Sequence, residues 1–177
     1  TLSSNVITVW ADNVGDASET TGVTKYDGSG DITGMVLNTH KMTLGSNDTG
    51  VSLNITNLGQ YDRSNDEDIM HSATTTTSTN IDPDNSYADE ELVIASSTLT
   101  IGGSDTLTTH DFENATSGIF TATGTASITV QGSFFNNSGS TFTAASSTVS
   151  FTATGTGETI DPGGDVFWNT TFNGSGG

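Results

Sequence analysis

The sequence has no cysteine, two prolines and only three Lys or Arg residues among 177. Without cysteine neither a disulfide framework nor a thiolate metal centre can form, so packing and hydrogen bonds must hold the fold. Three cations against 21 acidic residues give a formal charge of −18, and Arg63 is the last basic side chain in the sequence. Neutralising a phosphate backbone or an anionic lipid surface takes clustered Lys and Arg, which excludes nucleic acid and such surfaces as partners. No apolar run approaches the roughly 20 residues of a membrane-spanning helix, and no window of ten or more residues carries apolar side chains at helical spacing. Membrane insertion and extensive helix are therefore not expected.

What is abundant is strand-and-turn material. Hydrophobic residues make up 31% of the chain, 21 residues are glycine, and Ser and Thr fill most polar positions. β-Branched residues at the apolar positions suit strands, so the fold class is all-β. At 18.2 kDa the chain fits a single all-β domain over residues 1–177. Acidic residues, Thr and Asn stand where Lys would usually stand, as on salt-bathed surfaces where ions screen self-repulsion, and this points to an extracellular or cell-surface location. No leader precedes Thr1, which fits a mature product or a piece of a longer chain.

The chain is organised around an internal repeat between Asp111 and Thr159. Phe112, Asn114 and Phe120 recur 22 positions later as Phe134, Asn136 and Phe142, and Ile128 and Val130 recur 21 positions later as Val149 and Phe151. A period in the twenties, built from short alternating runs separated by Gly and Ser, predicts a parallel β-solenoid (β-helix) in which each coil stacks on the last. Asn114 over Asn136 is then a side-chain ladder. A β-sandwich with a donated strand, Val6 to Trp10, uses the same alternation and stays open as the alternative. Residues 1–59 read as looser rungs, with strands at Val6–Trp10, Ile32–Leu37, Lys41–Leu44 and Val51–Leu58. Residues 60–91 read as an acidic loop insertion holding nine of the 21 acids. Residues 92–177 read as regular repeats, with Ser97–Gly102 matched to Ser127–Gly132.

The run Gly-Ser-Phe-Phe-Asn-Asn-Ser-Gly-Ser-Thr-Phe-Thr-Ala-Ala-Ser-Ser-Thr-Val-Ser-Phe-Thr-Ala-Thr-Gly-Thr-Gly-Glu-Thr-Ile, followed by Phe-Trp-Asn-Thr-Thr-Phe, resembles the Thr/Ser/Gly-rich repeat regions of prokaryotic cell-surface β-solenoid proteins, adhesin-like or filament-forming. The resemblance covers about Leu92 to Gly177. It implies an extracellular structural role and carries over no catalytic residue.

Two acidic stretches are candidate calcium loops. Asp27, Ser29 and Asp31 place oxygen ligands at the first, third and fifth positions of a glycine-rich turn, but Asn38 stands where such a loop needs its closing acid. A plain Asp/Gly turn explains the same residues. Asp82, Asp84, Ser86, Asp89, Glu90 and Glu91 fall within ten residues, and so many carboxylates in one folded loop call for a counterion such as Ca2+. A solvated acidic loop is the competing reading. His40, His71 and His110 are too far apart to form a spaced metal motif. Six Asn-x-Ser/Thr sequons, at Asn47, Asn54, Asn114, Asn136, Asn169 and Asn173, barely exceed what this Ser/Thr content gives by chance.

No constellation carries catalysis, and the chain is not expected to be an enzyme. The expected role is a structural subunit or segment of an extracellular filament or surface stalk, a head-to-tail homo-oligomer joined through strand edges. The alternatives are a calcium-dependent adhesin that binds a glycan and, with least support, a polysaccharide-active solenoid.

Overall fold

Four-residue runs such as Ser127–Val130 alternate a hydroxyl side chain with a β-branched apolar one, so each is stable only as a strand with one face in a core. A computed structural model describes residues 5–15, 18–48, 50–75, 77–81 and 90–176. Its first elements are β1 (Val6–Trp10), β2 (Thr20–Lys25), β3 (Lys41–Leu44), β4 (Ser52–Asn54), the single helical turn α1 (Ile55–Leu58), β5 (His71–Thr75) and β6 (Ser78–Ile81). Then come β7 (Glu91–Ile94), β8 (Thr98–Ile101), β9 (Thr106–Thr109), β10 (Asp111–Asn114), β11 (Ile119–Ala122) and β12 (Ser127–Val130). The last are β13 (Phe134–Asn136), β14 (Thr141–Thr143), β15 (Thr148–Phe151), β16 (Ile160–Asp161) and β17 (Asn169–Phe172).

These strands form three sheets around one core. The first runs β1-β2-β3-β7-β10-β13-β16, the second β4-β8-β11-β14 and the third β5-β6-β9-β12-β15-β17. From β6 to β16 successive strands fall on successive sheets, and all neighbours are parallel except β1 on β2 and β5 on β6. The molecule is a three-sided parallel β-solenoid. β1 pairs with β2 of its own chain, so the sandwich with a donated strand is not the architecture.

The repeat gives the register directly. Phe112 pairs with Phe134, Asn114 with Asn136, Phe120 with Phe142, Ile128 with Val149 and Val130 with Phe151. Phe112 and Phe134 stack with centroids 4.8 Å apart, and Phe120 and Phe142 at 5.0 Å, close to the spacing of adjacent strands. Phe112 meets Phe120 edge-on at 5.4 Å, which ties the first sheet to the second across the core. Each such pair adds about 0.5–1.5 kcal/mol beyond its buried area. At one corner Asn114 Nδ2 donates to Asn136 Oδ1 at 2.9 Å, and both side chains are buried. At the turn after them Gly118 is forced: a Cβ there would collide with the carbonyl oxygen of Ile94 in the coil before.

Four expectations need correcting. Ser97–Gly102 does not match Ser127–Gly132 in space, because β8 lies in the second sheet under β11, whereas β12 lies in the third. All three faces of the prism demand the same alternation and glycine turn, so different faces look alike in sequence. Ile32–Leu37 forms no strand. It lies against the outer face of β2, where Gly22 leaves room and a Cβ would touch Leu37 and Met35. Val51–Leu58 is strand only over β4, since Asn54 caps α1: its side chain accepts from Asn57 N, and the Asn57 side chain accepts from Asn54 N. The stretch 60–91 contains β5 and β6, which belong to the third sheet, so it is not loop throughout.

Candidate functional site

The two ends of the coil differ in chemistry, and each is built from residues far apart in sequence. At the N-terminal end, the head, the chain leaves α1 and folds residues 59–70 over the first coil. Arg63 Nη1 reaches both oxygens of Glu19 at 3.2 and 3.3 Å, with Glu19 only 2% exposed. Arg63 N donates to His71 O at 2.8 Å, and Met70 N to Thr21 Oγ1 at 3.1 Å. The carboxylate of Asp62 accepts from Ser64 N and Oγ at 2.9 and 2.6 Å and from Ala73 N at 2.7 Å. Burial pushes its pKa up, yet these bonds and the neighbouring His71 outweigh it and hold the carboxyl below its ordinary value. His71 is fully buried, with Nε2 3.0 Å from Leu58 O, and burial depresses its pKa. The outer side of β1 borders an apolar depression of about 360 Å³ lined by Val6, Ile7, Thr8, Trp10, Gln60 and Tyr61.

At the C-terminal end, the tail, the pattern stops in stages. The second sheet ends at β14, one coil before β16 and β17 end the other two. Residues 162–168 cross in place of a strand. Asp165 continues the Asn ladder there, its Oδ2 accepting from Asn136 Nδ2 at 3.0 Å and from Phe142 N at 2.8 Å. Asn136 Nδ2 also donates to Pro162 O at 3.1 Å, and Gly163, at φ +62°, passes where any Cβ would strike the Asn136 carbonyl. Phe167 still turns inward, edge-on to Phe134, Phe142 and Phe151, but other apolar side chains turn outward: Val166 is 77% exposed, Phe172 72% and Trp168 66%. Phe172 stacks on Phe151 on one side only. Asn169 N and Asn173 N donate inward, to Ser147 O and Phe151 O. By the alternation of a strand, Thr170 and Phe172 therefore aim their N–H groups at the open edge. No described strand pairs with the outer edges of β16 and β17.

Among the described calcium candidates, Asp27, Ser29 and Asp31 stand apart in the fold from Glu90 and Glu91. Asp27 Oδ1 accepts from Ser29 N at 2.7 Å and Ser29 Oγ at 2.9 Å, closing an Asp/Ser turn on itself, while Asp31 offers its carbonyl to Asn47 Nδ2 at 3.0 Å. Asp82, Asp84, Ser86 and Asp89 lie outside the described residues. Glu90 is fully buried. Glu91 begins β7 and forms an ion pair with Lys41 on the neighbouring strand. Burial raises the pKa of Glu91; Lys41 opposes the shift and Glu113 adds to it.

A different set comes together at the head. Asp12, Asp66 and Asp68 bring one carboxylate oxygen each within 4.8 Å of the others, and Asp68 Oδ2 accepts from Asn13 N at 2.7 Å. Three hard oxygens are fewer than the six to eight a calcium ion takes, so waters or carbonyls would have to complete any shell. Asp12 stands 54 positions before Asp66, and no spacing rule would have joined them. Two of the six sequons are closed to modification in the folded chain, because Asn114 and Asn136 are buried in the ladder. No protein-family model, curated protein or solved structure matches this chain.

Proposed function

We propose that this chain is a structural segment of an extracellular filament or surface stalk, assembling end to end through strand edges. The observation that carries the reading is the parallel stack itself, whose last described strands, β16 and β17, leave the side chains of Val166, Trp168 and Phe172 exposed beside edges that no described strand pairs. Such an edge accepts another strand through the same backbone bonds that join coil to coil. In a rod of stacked coils each coil is held by its neighbours along its length, which suits a stalk. The charge of −18 supports placement in a salty exterior, where ions screen repulsion between segments. Negative-stain electron microscopy of the purified chain at moderate salt tests the reading: rods longer than one molecule are expected, and separate particles of one molecule at every concentration would overturn it.

A further inference from the structure

The outer face of the third sheet is set apart by what it lacks. None of the chain's 21 acidic residues and none of its three cations lies on β6, β9, β12, β15 or β17. The strands of the first sheet, in contrast, carry Lys41, Glu91, Asp111, Glu113 and Asp161. Solvent does not ask a face of so acidic a chain to be free of charge. A neutral partner does, because any charge covered by it would lose its water.

What stands on this face is a grid. Leu107, Ile128 and Val149 are buried, so the alternation of a strand turns the residues on either side of each outward. Pairing sets Thr106, Ser127 and Thr148 in one row and Thr108, Thr129 and Ser150 in a second. Ser78 and Asn80 extend the two rows at one end, and Asn169 and Thr171 at the other, so every position holds a hydroxyl or a carboxamide. Neighbours within a row stand about 4.8 Å apart and the rows about 6.6 Å apart, from the strand spacing and the rise of two residues. The same coils are in register in the other two sheets, so the rows follow the column. Thr106 Oγ1 donates to Ser78 Oγ at 2.9 Å, but the side chains of Thr108, Ser127, Thr129, Thr148 and Ser150 have no hydrogen bond to a described residue.

We propose that this face binds ice. A repeating grid is matched by a repeating partner, and the grid itself narrows the choice. Charged lattices and polymers find no counter-charge on it. Sugars find no aromatic ring to stack on, because the aromatic residues of these strands are Phe151, which is buried in the core, and Phe172, which stacks on it. Ice is uncharged, and its hydrogen-bonding oxygen atoms repeat at closely similar intervals. Each free hydroxyl both donates and accepts, as those oxygen atoms do, and the Thr methyl groups between the hydroxyls gain by leaving liquid water. The second sheet is also free of charge, but Ile119, 39% exposed, interrupts its row, and its four strands make a shorter grid. One molecule carries the whole surface, so the inference does not rest on end-to-end assembly.

Ice grown slowly from a stirred, dilute solution of the full chain tests it, by comparing the protein taken into the ice with an inert reference protein dissolved alongside. The unmodified chain should be enriched in the ice over the reference. Thr129→Lys puts a charge at the centre of the grid and should bring the enrichment down to the reference level. Thr108→Tyr is a second variant whose aromatic side chain suits a strand and stands proud of the grid, and the same loss is expected. Thr121→Lys makes the first change on the second sheet and should keep the enrichment; circular dichroism melts establish that each variant is folded. If Thr121→Lys loses the enrichment while Thr129→Lys and Thr108→Tyr keep it, the third sheet is the wrong face. If the unmodified chain stays in the liquid with the reference protein, the proposal falls, and retention on microcrystalline cellulose would then make a neutral polysaccharide the partner. Rods are read separately by electron microscopy, so the assembly reading and this one fail independently.

Discussion

At the head, β2 and β6 are each closed by an antiparallel strand and a folded loop hides an ion pair above the first coil. At the tail, β16 and β17 end bare, with aromatic side chains in solvent. The interior between them is the same stacked apolar column. The head is thus made of residues used once, Glu19, Arg63, Asp62 and His71, whose hydrogen bonds are not repeated from coil to coil among the described residues. The tail is made of positions used over and over: Phe172 stacks on Phe151, and Asp165 takes the place next to Asn136 in the ladder. A repeat array needs a distinct end wherever it meets water and only another repeat wherever it does not. The head thus carries a cover built from its own residues, whereas the tail repeats the column.

The largest expected effect comes from removing the single guanidinium. Arg63→Gln leaves Glu19 buried without its ion partner, and breaking a buried pair from one side costs about 3–5 kcal/mol. Because each coil depends mainly on its neighbours, the loss should be local to the head. Hydrogen exchange is expected to speed up in β1, β2 and β5 while β10 to β15 keep their protection. Uniform deprotection of all coils would show that the head and the column are one cooperative unit and erase the contrast.

Acid should separate the ends in the same direction. His71 is held neutral by burial, so its folded pKa lies below the ordinary value, and the unfolded chain takes up a proton first as pH falls below about 6.5. Head stability is complete above that pH and declines below it. Asp62, with its carboxyl held below the ordinary range, contributes stability above about pH 4 that is lost as pH falls further, through its folded value. Glu91 works in the opposite sense: its folded pKa is raised, so protonation as pH falls through that value favours the folded state, between β3 and β10 and away from the head loop. Two losses at the head and a small gain in the column are expected in pH-dependent hydrogen exchange. His71→Gln should remove the first step, and a first step that persists in that variant would place the titration elsewhere.

The same contrast explains what could be read from the sequence. The column was legible because stacking demands like over like, so Phe112, Asn114 and Phe120 reappear at the spacing of one coil. It was misread only where different faces carry the same pattern, as with Ser97–Gly102. Nothing in the head repeats. Arg63 finds Glu19 across 44 positions and Asn13 finds Asp68 across 55, contacts that pattern does not encode. The strands β5 and β6 were hidden because their neighbours are polar and β5 runs against the parallel order, leaving no repeat to recognise. The turn α1 had a readable signal in the pair Asn54 and Asn57, but the alternation of Val51, Leu53 and Ile55 spoke for strand. At the tail, the aromatic residues were visible and their exposure was not, since exposure depends on which coil is last.

The smallest effect is expected in the column itself, at the turn between the second and third sheets. Three successive coils place Gly103, Gly124 and Ala145 at this turn, with φ of +58°, +63° and +45°. The register of β9, β12 and β15 makes the three positions equivalent. Only Ala145 carries a Cβ in this left-handed conformation, which costs an L-residue roughly 1–2 kcal/mol, partly offset because glycine loses more freedom on folding. Ala145 is exposed, so nothing is lost from the core on its removal. Ala145→Gly is thus expected to stabilise the fifteenth strand's turn by about 0.5–1 kcal/mol, a rise of about 2 °C in melting temperature. Gly124→Ala should do the reverse and somewhat more, because its Cβ would also sit 3.1 Å from the Gly103 carbonyl oxygen. Opposite shifts of this size would establish that the turns, like the core, follow one rule from coil to coil; equal losses from both changes would mean that Ala145 is held by contacts its neighbours lack.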